Sequence, residues 1–136
     1  MKTKLALAAR LLLGLIFFIF GLNGMVMIFT GSGFIPFPPL PEQAGAFMAG
    51  LGQAPYFWPL LKTTELSMGT LLLIGLYTPL AVVVLTVVIY NILLFHVFLA
   101  PGGLPLAIFM VVLHGFLAHC YWSYYKGALT CKAEVK

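Results

Sequence analysis

The polar side chains that could do chemistry in this sequence are few, and they stand inside long apolar runs. Lys62 and Glu65 are three positions apart, a spacing that places an ammonium beside a carboxylate on one face of a helix. A lone carboxylate in hydrocarbon is neutralised or opposes insertion, and a neighbouring ammonium keeps it charged. Two interpretations are open. The pair fixes the register of packed helices, or it forms a polar pocket that binds the head of an amphipathic ligand or relays a proton.

Further polar residues occupy the outer halves of neighbouring apolar runs. At about 1.5 Å per residue, Glu65 lies roughly 11 Å, Asn91 roughly 12 Å and Asn23 roughly 8 Å below the outer ends of their helices. His96 lies closer to the boundary, as Lys62 does. We therefore take Asn23, Lys62, Glu65, Asn91 and His96 as candidate ligand-binding residues, and we assign no catalytic residue.

The sequence does not indicate a metal site. His114 and His119 are five positions apart on one predicted helix, so their side chains point about 140° away from each other. The H-E-x-x-H and C-x-x-C motifs and glycine-rich phosphate loops do not occur. Cys120 and Cys131 are too few for a disulfide framework, and we interpret both as structural or incidental.

The composition dictates the environment of these residues. Of the 136 residues, 62% are apolar and 7% are charged, with a formal net charge of +4. Soluble domains carry about 25% charged residues, so this chain cannot cover its surface with polar groups. We conclude that it is an integral membrane protein whose partner is the lipid bilayer. Since Lys and Arg do not cluster on a polar face, nucleic acid is not an expected partner.

Four apolar runs are long enough to cross a bilayer, which takes about 20 residues. The predicted fold is an all-α, single-domain, integral membrane four-helix bundle with one long outer loop. The predicted helices cover residues 5–30, 57–76, 80–100 and 104–125, the outer loop 31–56, and the cytoplasmic tail 126–136. The loop is rich in proline and then predicts a short amphipathic helix from Glu42 to Gly52. This helix is either a lid on the membrane surface or a gate over a pocket that opens outward.

Basic residues predict the orientation of the bundle. The outer loop contains no Lys or Arg, whereas both ends of the chain are basic. The basic residues at the two ends are Lys2, Lys4, Arg10, Lys126, Lys132 and Lys136. With an even number of spans, both termini face the cytoplasm of a bacterial inner (plasma) membrane.

Small residues at expected helix contacts carry a family resemblance. Gly14 and Gly21 share a stripe with Arg10 on the first helix, and Gly69 lies one turn from Glu65. The order and spacing of these positions resemble the DoxX family of small membrane proteins. The matching motifs are Arg10-x-x-Leu13-Gly14-x-x-Phe17-x-x-x-Gly21, Glu65-x-x-x-Gly69-x-x-Leu72-x-x-Gly75-x-x-x-Pro79 and Asn91-Ile-Leu-Leu-Phe95-His96. The chain departs from the family pattern at Met68, where many members have glycine, and at Gly24, where lysine is common.

The resemblance implies a function at the inner membrane, because the family takes its name from a subunit associated with thiosulfate–quinone oxidoreduction. We expect a redox-associated membrane subunit with a polar pocket for a quinone or a similar amphipathic ligand. Glu65 would exchange a proton, while Lys62 and Asn91 would bind carbonyl oxygens. The sequence shows no motif for an electron carrier, so a redox partner protein or a homo-oligomer is expected. The alternative is a non-enzymatic membrane assembly or interaction protein.

Overall fold

The computed structural model describes residues 2–131, and every regular element within that range is helical. In chain order the helices are α1 (Lys2–Thr30), α2 (Glu42–Gly52), α3 (Phe57–Ile74), α4 (Thr78–Phe98), α5 (Leu104–Cys120) and α6 (Trp122–Tyr125). A 3-10 turn at Pro101–Gly103 joins α4 to α5. The predicted all-α class is confirmed. Two basic residues of the predicted tail, Lys132 and Lys136, lie outside the described residues.

Helix ends follow from local backbone chemistry. Gly75 adopts the left-handed conformation (φ 78°), a common end to a helix, and α3 therefore stops at Ile74 rather than at the predicted residue 76. Tyr77 is also left-handed (φ 50°). Pro79 stands in the first turn of α4, where its missing N–H removes no helical hydrogen bond. The chain consequently reverses within a few residues, and α3 and α4 are adjacent.

The four long helices form a closed ring around an apolar core. The principal contacts join α1 to α3 and α5, and α4 to the same two helices. Because lipid tails are as apolar as these side chains, close van der Waals packing between the helices holds the ring together. The largest fully buried apolar side chains are Leu13, Phe17, Leu72, Leu85, Ile89 and Leu117.

The exterior of the ring is also apolar, as expected of a surface in contact with lipid. Large exposed apolar side chains occur on every long helix, among them Leu15, Leu60, Val87 and Val112. Three helical segments are long and apolar enough to cross a membrane, judged by length and composition. They are Thr3–Thr30, Thr78–Phe98 and Pro101–Cys120. The helix α3, which is 18 residues long and carries Lys62 and Glu65, is not among them.

Glycines bring α1 and α3 together with almost no side chain between their backbones. A Cβ atom built on Gly21 would lie 2.6 Å from the backbone nitrogen of Leu66, and one on Gly69 would lie 2.5 Å from that of Phe18. Gly14 faces Leu72 in the same way. Residue numbers rise along α1 while those of its neighbours on α3 fall. The two helices are therefore antiparallel and aligned along their length.

The prolines of the outer loop determine where it is irregular and where it is helical. Residues 31–41 form no regular element, and the short helix α2 has the predicted bounds, Glu42 and Gly52. Within α2, Ala44 is fully buried, whereas Phe47 is half-exposed. The ring centroid of Phe47 lies 6.0 Å from that of Phe95 near the end of α4. This contact places α2 against the outer end of the bundle.

Candidate functional site

The charged pair predicted on α3 forms a short ion pair. The Nζ atom of Lys62 donates to Oε2 of Glu65 at 2.7 Å, and both side chains are largely withdrawn from the surface. Side-chain exposure is 20% for Lys62 and 5% for Glu65. A carboxylate this deeply buried needs such a partner, because desolvation of an unpaired charge costs several kcal/mol.

The position of Lys62 depends on a glycine of the neighbouring helix. The methylene groups of Lys62 cross Gly24 of α1 so closely that a Cβ atom on Gly24 would overlap them. Nearby, the hydroxyl of Thr63 contacts the sulfur of Met25 at 3.9 Å. The absence of a side chain at position 24 thus provides the space in which Lys62 lies.

Asn23 anchors the outer loop to the bundle. It is fully buried, and its Oδ1 atom accepts a hydrogen bond of 2.8 Å from the backbone N–H of Ile35. Gly33 packs directly on the amide group, since a Cβ atom there would lie 2.6 Å from Oδ1. The Nδ2 atom of Asn23 has no hydrogen-bond partner within residues 2–131. We call Asn23, Lys62 and Glu65 the polar cluster.

Asn91 does not lie in the polar cluster. It is exposed on the outside of α4, and its Nδ2 donates to the carbonyl oxygen of Val87 at 2.9 Å. The rotation of α4 about its axis turns it away from the other candidate residues. Ile89 faces the core, and two residues further along a helix the side chain points to roughly the opposite side.

His96 also has a different environment from the one predicted. Its Nδ1–H donates to the carbonyl oxygen of Ala100 at 2.8 Å. The ring lies against Gly103, where a Cβ atom would overlap it. His96 therefore stabilises the turn between α4 and α5, and no hydrogen bond joins it to the polar cluster in the described part of the chain.

The motif position Arg10 lies at the opposite end of the bundle from the polar cluster. Its guanidinium lies over Gly75, so closely that a Cβ atom there would overlap Nη1. This position is the C-terminal end of α3, where the helix dipole and unpaired carbonyls favour a cation. Arg10 and the glycines at 14, 21 and 69 together define the contact between α1 and α3.

Sequence reasoning missed a buried histidine contact between α4 and α5. His114 is 7% exposed, and its Nε2 lies 2.9 Å from the carbonyl oxygen of Val82 and 3.1 Å from Oγ1 of Thr86. Because a carbonyl oxygen only accepts, this nitrogen carries the proton. Both partners of His114 belong to another helix, and no spacing rule connects them to it in the sequence.

An apolar exterior, a ring of long helices and a buried ion pair define a small helical membrane protein. The sequence model of the DoxX family matches residues 5–97, more than half of the chain. The protein therefore belongs to the DoxX family. The match extends from α1 through most of α4 and includes the polar cluster, whereas α5 lies beyond it. Among curated proteins and solved structures, none matches the chain.

Proposed function

We propose that this DoxX-family protein is a redox-associated membrane subunit that binds the head of a quinone or a similar amphipathic molecule at the polar cluster. The observations that carry the proposal are the buried Lys62–Glu65 ion pair, with Lys62 crossing Gly24 next to Asn23 in α1, and the Nδ2 atom of Asn23, which has no partner within residues 2–131. Intramembrane charges of this kind are costly and typically mark functional sites.

The donors in the polar cluster suit the carbonyl oxygens that a quinone head presents. The Lys62 ammonium has three N–H groups, of which the Glu65 carboxylate takes one. Asn23 adds the N–H groups of its Nδ2 atom. Glu65 is the group that holds or releases a proton, and the electrons would come from a redox partner protein. Asn91 has no part in this arrangement because it faces away.

Access to the polar cluster is proposed from the outer leaflet, beneath the loop that Asn23 anchors. The apolar tail would remain between the helices while the head reaches Lys62. The contact of Phe47 with Phe95 holds α2 over this end of the bundle. Phe47→Ala should then shorten the residence time of the ligand and leave the ring of long helices folded.

The orientation belongs to the same proposal. We infer that α3 is a fourth span and that both termini are cytoplasmic in a bacterial inner membrane. Support comes from the antiparallel alignment of α3 with α1 and from the basic residues Lys4, Arg10 and Lys126 at one end.

The test is binding of decylubiquinone to the detergent-purified protein, measured by quenching of Trp58 in the first turn of α3. A Trp122→Phe background makes Trp58 the reporter, since the chain has two tryptophans. Lys62→Met should weaken binding about tenfold or more, the effect of losing a charged hydrogen bond. Ser67→Ala, an exposed change on the same helix, is the matched control. Equal affinity for all three proteins would remove the polar cluster from the function.

A non-enzymatic assembly protein is the second candidate, and the observation that favours it is exposed Asn91. An amide facing lipid gains from a hydrogen bond to another helix. If the protein acts by association, Asn91→Leu should shift the oligomer distribution in native mass spectrometry towards monomer. Binding of decylubiquinone should be absent in that case.

A further inference from the structure

The end of the bundle opposite the polar cluster carries a second site of different chemistry. A cavity of about 300 Å³ lies between the first turns of α1 and the end of α5. We call it the basic hollow. Its lining residues are Thr3, Lys4, Ala6, Leu7, Arg10 and Tyr121. Two of its side chains are cationic, and Thr3 and Tyr121 add hydroxyl groups.

The positive charge of the basic hollow is not neutralised by a carboxylate within residues 2–131. The carboxylates in that range are Glu42, on the outer loop, and Glu65, which pairs with Lys62. The first N–H groups of α1 add to the positive potential, since they lack intrahelical partners. The basic hollow therefore favours an anion.

Arg10 is held in place for such a contact. Its guanidinium lies over Gly75, and it is only half-buried while it lines the basic hollow. A planar guanidinium with fixed orientation binds phosphate oxygens through paired hydrogen bonds. Lys4, which is exposed, supplies a second charge.

The position of the basic hollow indicates a lipid rather than a soluble anion. Arg10 lies about 12 Å along α1 from Lys2 and within the apolar segment Thr3–Thr30, which is long enough to cross a membrane. The exposed side chain of Leu7 forms part of the lining. An occupant must therefore satisfy charge and apolar surface together. A second cavity of about 300 Å³, lined by Leu5, Ala8, Leu12, Phe116 and their neighbours, has no charged residue and offers no headgroup contact.

We propose that the basic hollow binds the phosphate of an anionic phospholipid headgroup, with Arg10 and Lys4 as the charged contacts. This site is distinct from the polar cluster and does not depend on the function proposed for it. Basic cavities between membrane helices recognise anionic headgroups in this way.

The test is native mass spectrometry of the full chain in detergent with dioleoylphosphatidylglycerol, dioleoylphosphatidylcholine or inorganic phosphate. We expect retained adducts with phosphatidylglycerol only. Lys4→Gln should weaken them about fivefold, the effect of one basic residue at a membrane surface. Arg10→Gln should weaken them further. Because Arg10 also packs on Gly75, Arg10→Gln could fail to fold for structural reasons. Lys4→Gln changes an exposed residue and tests the site independently of that outcome.

Lys126→Gln is the matched control, since it removes one exposed charge at the same end without lining the basic hollow. Its adducts should equal those of the wild type. An equal loss in Lys126→Gln would mean general electrostatic attraction and would overturn the site. Unchanged adducts in Lys4→Gln would do the same, and displacement of the lipid by inorganic phosphate would identify a soluble anion as the ligand.

Discussion

Glu65 and Lys62 depend on each other, because neither charge is stable alone at its position. Glu65 is 4% exposed, and Gly69 lies one turn away on the same helix. Coulomb attraction at 2.7 Å offsets the desolvation of both groups only while both are present. Removing one of the two groups therefore leaves the other as a charge without its partner.

We expect Glu65→Leu to lower the melting temperature in detergent, because the Lys62 ammonium is left without its partner at a cost of about 1–3 kcal/mol. Glu65→Gln keeps an acceptor and should lose less. The double variant Lys62→Met/Glu65→Leu should recover part of the loss, since apolar replacement of a whole buried pair is often neutral. Thermal unfolding of the four proteins provides the comparison. If Glu65→Leu melts above the wild type, the only effect of Glu65 is to disfavour insertion of α3 into the membrane.

The contrast between Lys62–Glu65 and Asn91 shows which site residues a sequence can predict. The ion pair lies within one helix, where a spacing of three positions fixes the contact. The direction of Asn91 depends on how α4 is rotated against its neighbours. Since α4 is apolar on all its faces, its sequence contains no stripe that distinguishes the core side from the lipid side.

At the scale of elements, the contact between α1 and α3 determines the geometry of the bundle. Gly21 and Gly69 allow the two backbones to approach, and each would place a Cβ atom within 2.6 Å of a backbone nitrogen. Backbone atoms cannot move aside as the end of a flexible side chain can. The helices would have to separate, and the polar cluster spans the same contact.

Gly69→Ala is therefore expected to destabilise the protein by about 1–3 kcal/mol, the usual cost of overpacking. Gly115→Ala is the control, because nothing lies within 4 Å of a Cβ atom at that position of α5. There the better helix propensity of alanine should stabilise the protein by up to about 1 kcal/mol. The measurement is the melting temperature of Gly69→Ala, Gly115→Ala and the wild type in the same detergent. Equal effects at the two positions would show that α1 and α3 are less closely packed.

The short helix α6 is fixed to the start of α4 by a tyrosine. The hydroxyl of Tyr125 donates to the carbonyl oxygen of Pro79 at 3.1 Å. Burial, and secondarily Tyr121, raises the pKa of Tyr125 above its ordinary value of 10.0. The folded state therefore binds this proton more tightly than the unfolded state. The contribution of Tyr125 to the free energy of unfolding is constant around neutral pH and falls as the pH rises through about 10.

Tyr125→Phe should cost about 1 kcal/mol at neutral pH through the lost hydrogen bond. The same variant should lose less stability than the wild type between neutral pH and about pH 11, because its phenylalanine does not titrate. Tyr124→Phe, an exposed change in the same helix, is the control. Parallel pH profiles for wild type and Tyr125→Phe would contradict a titration at this contact.

Helix bounds were predictable to different degrees. The bounds of α2 follow from proline before it and apolar spacing within it, and both match the structure. The end of α5 at Cys120 was missed, because the sequence continues to read as an apolar and aromatic run. The break at Tyr121 and the contact of Tyr125 with Pro79 depend on a distant part of the chain.

At the scale of the whole molecule, the ring of helices separates two polar regions by their chemistry. One end contains the polar cluster and both described carboxylates, whereas the opposite end contains Lys4, Arg10 and Lys126. Whether these ends lie on opposite sides of the membrane depends on α3. It is less apolar than the other long helices, yet its charges pair within the bundle rather than face lipid.

We expect single cysteines at Ser32 and Ser123 to be labelled from opposite sides of the membrane. The background lacks Cys120 and Cys131, and both serines are exposed. If α3 crosses the bilayer, three spans separate the two positions and an impermeant thiol reagent reaches only Ser32→Cys in intact cells. If α3 remains on the outer surface, two spans separate them and both are labelled. Gln53→Cys should behave like Ser32→Cys in either case. Tyr77→Cys, in the turn between α3 and α4, should be labelled only after the membrane is opened if α3 crosses the bilayer, and in intact cells if it does not. Labelling of both Ser32→Cys and Ser123→Cys in intact cells would exclude α3 as a span.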